Sequence, residues 1–157
     1  MAAVAFKKVL VAYDGSEASK HALEYAVDIT NMNSGLLIIL TVVPKMHLPV
    51  FPDEGFGTAS ITAANDLGDY QDRLVAMYKK NLEESENNIK EHYPTLNVKN
   101  VLIEARPSAT IVEQAEKYQV DLIVIGSRGL GGISGWILGS TSRRVVESCT
   151  KPILIIK

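Results

Sequence analysis

The chain has 157 residues, of which 46% are hydrophobic and 22% charged, the length and balance of a single globular domain rather than a disordered segment. Its 18 acidic and 16 basic side chains leave a formal charge of −2, which provides no electrostatic footprint for nucleic acid or for an anionic membrane. The single cysteine, Cys149, excludes an internal disulfide, a cysteine zinc site and a paired-cysteine redox motif, and it fits a reducing compartment. The opening Met1–Lys8 lacks a basic region followed by a long apolar stretch, so no signal peptide is expected. The longest apolar run, Leu36 to Val43, falls far short of the ~20 residues that span a bilayer. A soluble, cytoplasmic protein is the expectation.

In chain order, Phe6–Tyr13 is a run of branched aliphatic residues that predicts a strand buried on both faces. Ala18, Ala22, Tyr25, Ala26 and Ile29 then recur at helical spacing behind Ser16, an N-cap candidate. A second strand is expected at Leu36–Val43. The segment from Pro44 to about Asp66 carries three prolines and two glycines with little periodicity, and is expected to be a long loop, mobile or in contact with a partner, the alternative being an inert insertion. Leu74, Tyr78, Leu82, Ser85 and Ile89 mark a second helix, whose Lys79–Glu91 stretch reads as a solvated face with i,i+4 pairing. Val98–Glu104 is a weaker strand, followed by a helix opened by Pro107-Ser108 and carrying Ile111, Ala115 and Tyr118. Asp121–Ile125 is the fourth strand, a last helix begins near Gly139 and carries Val145 and Val146, and Ile153–Ile156 closes the chain as a fifth strand. Strands alternating with helices predict an α/β fold, a parallel sheet with right-handed crossovers and helices on both faces.

In such a sheet, ligands bind beyond the carboxyl ends of the strands, where the strand order reverses. Two predicted strand ends carry unusual residues. The first runs into Ala12-Tyr13-Asp14-Gly15-Ser16. The fourth runs into Gly126-Ser127-Arg128-Gly129 and a loop that reaches Gly139-Ser140-Thr141. Six of the 11 glycines (Gly126, Gly129, Gly131, Gly132, Gly135 and Gly139) fall within these 14 consecutive residues. Bare backbone lets amides converge on phosphate oxygens, and the start of the following helix adds free N–H groups and partial positive charge. Ser140 and Thr141 add hydroxyls there, Arg128 adds a formal charge, and Asp14 is placed for a ribose hydroxyl or a phosphate-bound metal ion.

No Gly-Lys dipeptide occurs, which excludes a Walker A loop. A near-match to a dinucleotide fingerprint at Gly129–Ser134 ends in serine and follows the fourth strand rather than the first. The spacing Gly126-x2-Gly129-x9-Gly139-Ser140 resembles the G-x2-G-x9-G-(S/T) signature of the universal stress protein family, in its ATP-binding branch. The opening Val9–Ser16, the segment Val124–Gly129 and the ending Lys151–Ile156 are similar to that family as well, so the resemblance covers essentially the whole chain.

The resemblance implies a Rossmann-like sheet of five strands in the order 3-2-1-4-5, with ATP in the crevice between strands one and four. By that likeness Asp14 lies near the ribose, with Ala12 and Tyr13 beside it, and Val42 contacts adenine, with Thr41 adjacent. Gly126, Ser127, Arg128, Gly129, Gly139, Ser140 and Thr141 fall in the phosphate-binding segment, and Mg²⁺ would be bound through the phosphates. Tyr13 departs from the smaller residue common in relatives, which bears on the shape of the base pocket.

His21, His47 and His92 lack metal-ligand spacing and read as surface residues, Cys149 as a small buried hydrophobe, and Trp136 as an anchor of the glycine loop. Ile153–Ile156 would be an apolar edge strand, open to antiparallel pairing with a second copy across a two-fold axis. The resemblance implies the same homodimer. A phosphate cradle with no general base beside it favours a stress-response or regulatory ATP-binding module. The alternative is a slow ATP hydrolase or a phosphate or nucleotidyl transferase, with Asp14 and Arg128 flanking the phosphates.

Overall fold

A computed structural model describes residues 4–47, 59–129 and 137–157, with side chains from 62 onward in the second of these segments. The elements are β1 (Lys8–Ala12), α1 (Glu17–Met32), β2 (Leu36–Val43), α2 (Ala59–His92), β3 (Asn97–Glu104), α3 (Pro107–Lys117), β4 (Leu122–Gly126), α4 (Ser140–Ser148) and β5 (Ile153–Ile156). All strand pairs are parallel, in the order β3-β2-β1-β4-β5. This is the fold class and strand order expected.

The two-residue period of the strands sorts their side chains between two cores. Val9, Val11, Leu37, Ile39, Leu122 and Val124 face α1 and α2, where they meet Ala22, Ala26, Leu82 and Ile89. Leu10, Ile38, Leu40, Val42, Ile123 and Ile125 face α3 and α4, where they meet Ile111, Ala115 and Val145. Most of these strand residues are fully excluded from solvent, which is why the runs carry no polar alternation.

Three expectations are corrected here. Tyr25 is 54% exposed, and α1 buries Ser19, Ala22, Leu23, Ala26, Val27 and Thr30 instead. The small Ala22 and Ala26 bring the helix close to the sheet, and Leu23 and Val27, rather than Tyr25, flank that line of contact. The expected loop 44–66 is shorter, because α2 starts at Ala59. Three alanines between residues 59 and 64, with no glycine or proline, favour helix there. Residues 48–58 lie outside the described residues, as do Gly131, Gly132, Gly135 and Trp136 of the glycine loop. On α2 the expected pairing is present as Lys79–Glu83 and Lys80–Glu84, each at 3.8 Å, and as Lys90–Glu86. Cys149 is half-buried at the edge of the second core rather than enclosed by it.

Candidate functional site

From β1 the chain proceeds outward through β2 to β3, then returns to the other side of β1 for β4 and β5. The loops leaving β1 and β4 therefore diverge, and a crevice opens between them. At the β1 exit, Tyr13 N donates to Leu40 O at 2.9 Å, which ties the loop to β2. Asp14 Oδ1 accepts from Ser16 N at 2.9 Å, and Ser16 Oγ accepts from Ser19 N at 3.2 Å, capping α1. Gly15 between them has φ +84°, the left-handed region that suits glycine, and a Cβ there would lie 2.6 Å from Asn81 Nδ2 on α2.

At the β4 exit, Ser127 holds both ends of the glycine-rich loop. Its N–H donates to Ile156 O at 2.7 Å, and its carbonyl accepts from Gly139 N at 2.7 Å and from Ser142 Oγ at 2.9 Å. Gly139 caps α4, and the first bond closing that helix is Arg143 N to Gly139 O at 3.0 Å. The amides of Ser140, Thr141 and Ser142 precede that bond and have no intrahelical acceptor. Arg128 is half-buried, and its Nε is a buried donor with no hydrogen-bond partner among the described residues.

The two exits touch at one point. A Cβ on Gly129 would sit 2.7 Å from Asp14 Oδ2, so the carboxylate rests against bare backbone. Gly126 serves packing instead: a Cβ there would lie 2.8 Å from the carbonyl carbon of Ala18, so its absence lets α1 close on β4.

Between the exits lies a cleft of about 330 Å³, at the small end of ordinary ligand pockets. Ala12, Tyr13, Asp14, Val42, Gly126, Arg128, Gly129, Gly139, Ser140 and Thr141 all line it. Thr41 and Ser127 do not. Thr41 is fully buried on the opposite face of β2 from Leu40 and Val42, where its hydroxyl has no partner among the described residues. Ser127 instead lines a second hollow of about 490 Å³ beside β5, with Ile137, Leu138, Ile155 and Lys157.

The cleft has two chemically different ends. Leu40, Val42 and Pro44 on the β2 side, with Pro107 and Ile111 of α3, make one end apolar. Arg128, Gly129 and the first turn of α4 make the other an array of donors, with Asp14 between them. Leu40 was within reach of sequence reasoning, since it shares a strand face with Val42. Pro107, Ile111 and Tyr78 come from helices remote in sequence, and no local motif marks them. Tyr78, on α2, is only 7% exposed at the Asp14 side of the cleft. Burial, and then the Asp14 carboxylate, push its phenol above the usual tyrosine range. Among the described residues, no group of three His, Cys, Asp or Glu side chains is placed to hold a metal ion, and no helix is long and apolar enough to cross a membrane.

Comparison with known proteins agrees with this architecture. The chain is 32% identical over 155 residues to universal stress protein YxiE of Bacillus subtilis, covering 97% of this chain and 99% of that one. It is 30% identical to a universal stress protein of Mycolicibacterium smegmatis but spans only 45% of that longer protein's length. Universal stress protein UspA from Lactobacillus plantarum shares the fold, with a TM-score of 0.83 at 23% identity over 99% of this chain and 100% of that one. A universal stress protein crystallised in complex with cAMP superposes with a TM-score of 0.62 at 25% identity, over 98% of each chain. The model of the universal stress protein family matches residues 5–157, and the chain belongs to that family.

Proposed function

We propose that the protein is an ATP-binding regulatory module of the stress response, acting as a cytoplasmic homodimer built from one domain per chain. The observation that carries this reading is the two-ended cleft at the switch point. Its apolar end suits a purine base, Asp14 in the middle suits ribose hydroxyls, and the donor-rich end suits phosphates. The residues present fit that group. The buried Arg128 Nε is without a hydrogen-bond acceptor among the described residues, the amides of Ser140, Thr141 and Ser142 have no intrahelical one, and Gly129 leaves the space that the Asp14 carboxylate occupies. The relative crystallised with cAMP adds support from an adenine nucleotide on a similar chain.

Bound ATP would supply the negative charge that these donors address. This chain's part is to bind and orient. Ser127 and Ser142 hold the α4 terminus in place, Arg128 contributes the formal charge, and the apolar wall of Leu40, Val42 and Ile111 excludes water from the base. Mg²⁺ enters only as a counter-ion carried on the phosphates. Asp14 is the one carboxylate among the lining residues, and it already accepts from the Ser16 amide, which favours binding over hydrolysis. For the dimer, the support is that among the described residues β5 pairs with β4 alone and presents Ile153, Leu154 and Ile155 half-buried at the sheet edge.

Calorimetric titration with ATP tests the binding. Saturable 1:1 uptake is expected, weakened at least tenfold by Arg128→Ala, since a charge-assisted hydrogen bond is worth about 1.5–3 kcal/mol. No uptake at millimolar ATP would defeat the reading. Light scattering of Ile155→Pro beside the parent chain tests the β5 pairing separately: a fall in mass is expected, and a mass equal to the parent's at every concentration would exclude pairing through β5.

A further inference from the structure

The long helix α2 does two different things along its length. From Tyr78 onward it buries Tyr78, Leu82 and Ile89 against the sheet. None of its described side chains from Thr62 to Met77 is buried. At ~1.5 Å per residue the 34-residue helix is about 50 Å long, so its first half extends past the sheet. Gln71 sets the rotation of that half. Its amide donates to Pro44 O and to Glu104 Oε2, each at 3.2 Å, and accepts from Met46 N at 3.1 Å.

Ala63, Leu67, Tyr70, Leu74 and Met77 are spaced 4, 3, 4 and 3 apart, a heptad seam with Asn81 at its next position. At about 100° per residue the seam is turned roughly 40–120° from Gln71, to one side of the protein body. Tyr70 and Met77 are 48% and 44% exposed, Ala63 is exposed as well, and Leu67 and Leu74 are half-buried. An apolar stripe of this period on a projecting helix is the geometry that packs against another helix.

Charge identifies the partner helix. Asp66, Arg73 and Lys80 recur at seven-residue spacing along the outer flank of the stripe, acidic in its first half and basic in its second. Among the described residues, Lys80 makes a long, exposed pair at 3.8 Å to Glu84. A parallel second copy would bring Asp66 beside Gln71, Arg73 beside Tyr78 and Lys80 beside Ser85, with no opposite charges matched. An antiparallel copy layers Leu67 on Met77 and Tyr70 on Leu74 and sets Asp66 beside Lys80 of the second copy, each twice by symmetry, against one like-charge meeting of Arg73 with its own copy at the two-fold axis.

We propose that the first half of α2 is a homotypic docking surface whose occupant is the same segment of a second copy, antiparallel. Gln71 ties this half of α2 to Pro44 and Glu104, beyond the ends of β2 and β3 and on the far side of β1 from β5, so it does not compete with edge pairing and does not depend on any nucleotide reading.

The test uses the full chain. Sedimentation of Ile155→Pro, which removes β5 pairing, should still show a concentration-dependent dimer. Asp66→Lys in that background should weaken it by roughly tenfold, and adding Lys80→Asp should restore it. These are exposed charges whose exchange leaves the fold intact. Independently, with Cys149→Ser as background, Leu67→Cys combined with Met77→Cys should form an intermolecular disulfide under mild oxidation, and Leu67→Cys alone should not. Cross-linking by the single variant would show a parallel pair and overturn the proposal. A monomer throughout, or charge exchange without rescue, overturns it as well.

Discussion

Gly126 and Gly129 belong to one sequence motif, yet the geometry gives them different work, and alanine at each should separate the two. At Gly126 the added Cβ would meet Ala18 at 2.8 Å from its carbonyl carbon and 2.9 Å from its oxygen and its Cβ. The obstacle is backbone in the first turn of α1, which the Ser16 cap holds, so relief requires moving the helix off β4. Overpacking of this kind costs about 1–3 kcal/mol. At ~3 °C per kcal/mol for a domain of this size, Tm should fall by about 3–9 °C. At Gly129, whose φ is not left-handed, the Cβ would meet, among the described residues, Asp14 Oδ2 at 2.7 Å, and the next atom, Asp14 Cγ, lies at 3.9 Å. A carboxylate swings away at little cost, so Tm should change by less than ~2 °C, the effect of about 0.5 kcal/mol. Displacing that carboxylate should raise the Kd for ATP about tenfold, the equivalent of 1.4 kcal/mol. Circular dichroism melts without nucleotide, paired with calorimetric titration, read the two effects independently. The reasoning is falsified if Gly126→Ala melts like the parent, or if Gly129→Ala is the more destabilised of the two.

Two further outcomes follow from the same geometry. Thr41→Val replaces a fully buried, unpartnered hydroxyl with a methyl group of similar shape, and should raise stability by about 1 kcal/mol in urea unfolding while leaving ATP affinity unchanged. A loss of affinity would return Thr41 to the cleft. Tyr78 has a folded-state pKa raised by burial and by Asp14, so above the ordinary tyrosine pKa the unfolded chain loses its proton first. Its contribution is fully present below that pKa and is lost as pH rises toward the folded-state value. Tyr78→Phe should therefore flatten the alkaline decline of stability, measured by urea midpoints across that range. An identical decline in both proteins would show that the phenol is not held in a buried, acidic setting.

Much of the fold was legible because each element carried its own local signal. Val9–Val11, Leu37–Val43 and Leu122–Ile125 are apolar on both faces, which only a sheet covered on both sides accommodates, and Ser16 and Pro107 marked helix starts. The start of α2 was less legible, since Ala59–Ala64 follows prolines and glycines that mask its helical composition. For the cleft, residues at the ends of β1 and β4 were readable because glycine, aspartate and arginine at strand ends have few structural uses.

By itself, then, the amino-acid order determined which segments are strands, the family spacing of Gly126, Gly129 and Gly139, and the acidic and cationic groups at the two exits. Only the tertiary structure decided which of these face one another. The pleat of β2 turned Val42 into the cleft and Thr41 away from it. The return of the chain past β1 set Asp14 against Gly129. The docking of α2 brought Tyr78 to a loop 64 positions earlier. Such juxtapositions depend on long-range packing, and a local pattern of residues holds no record of them.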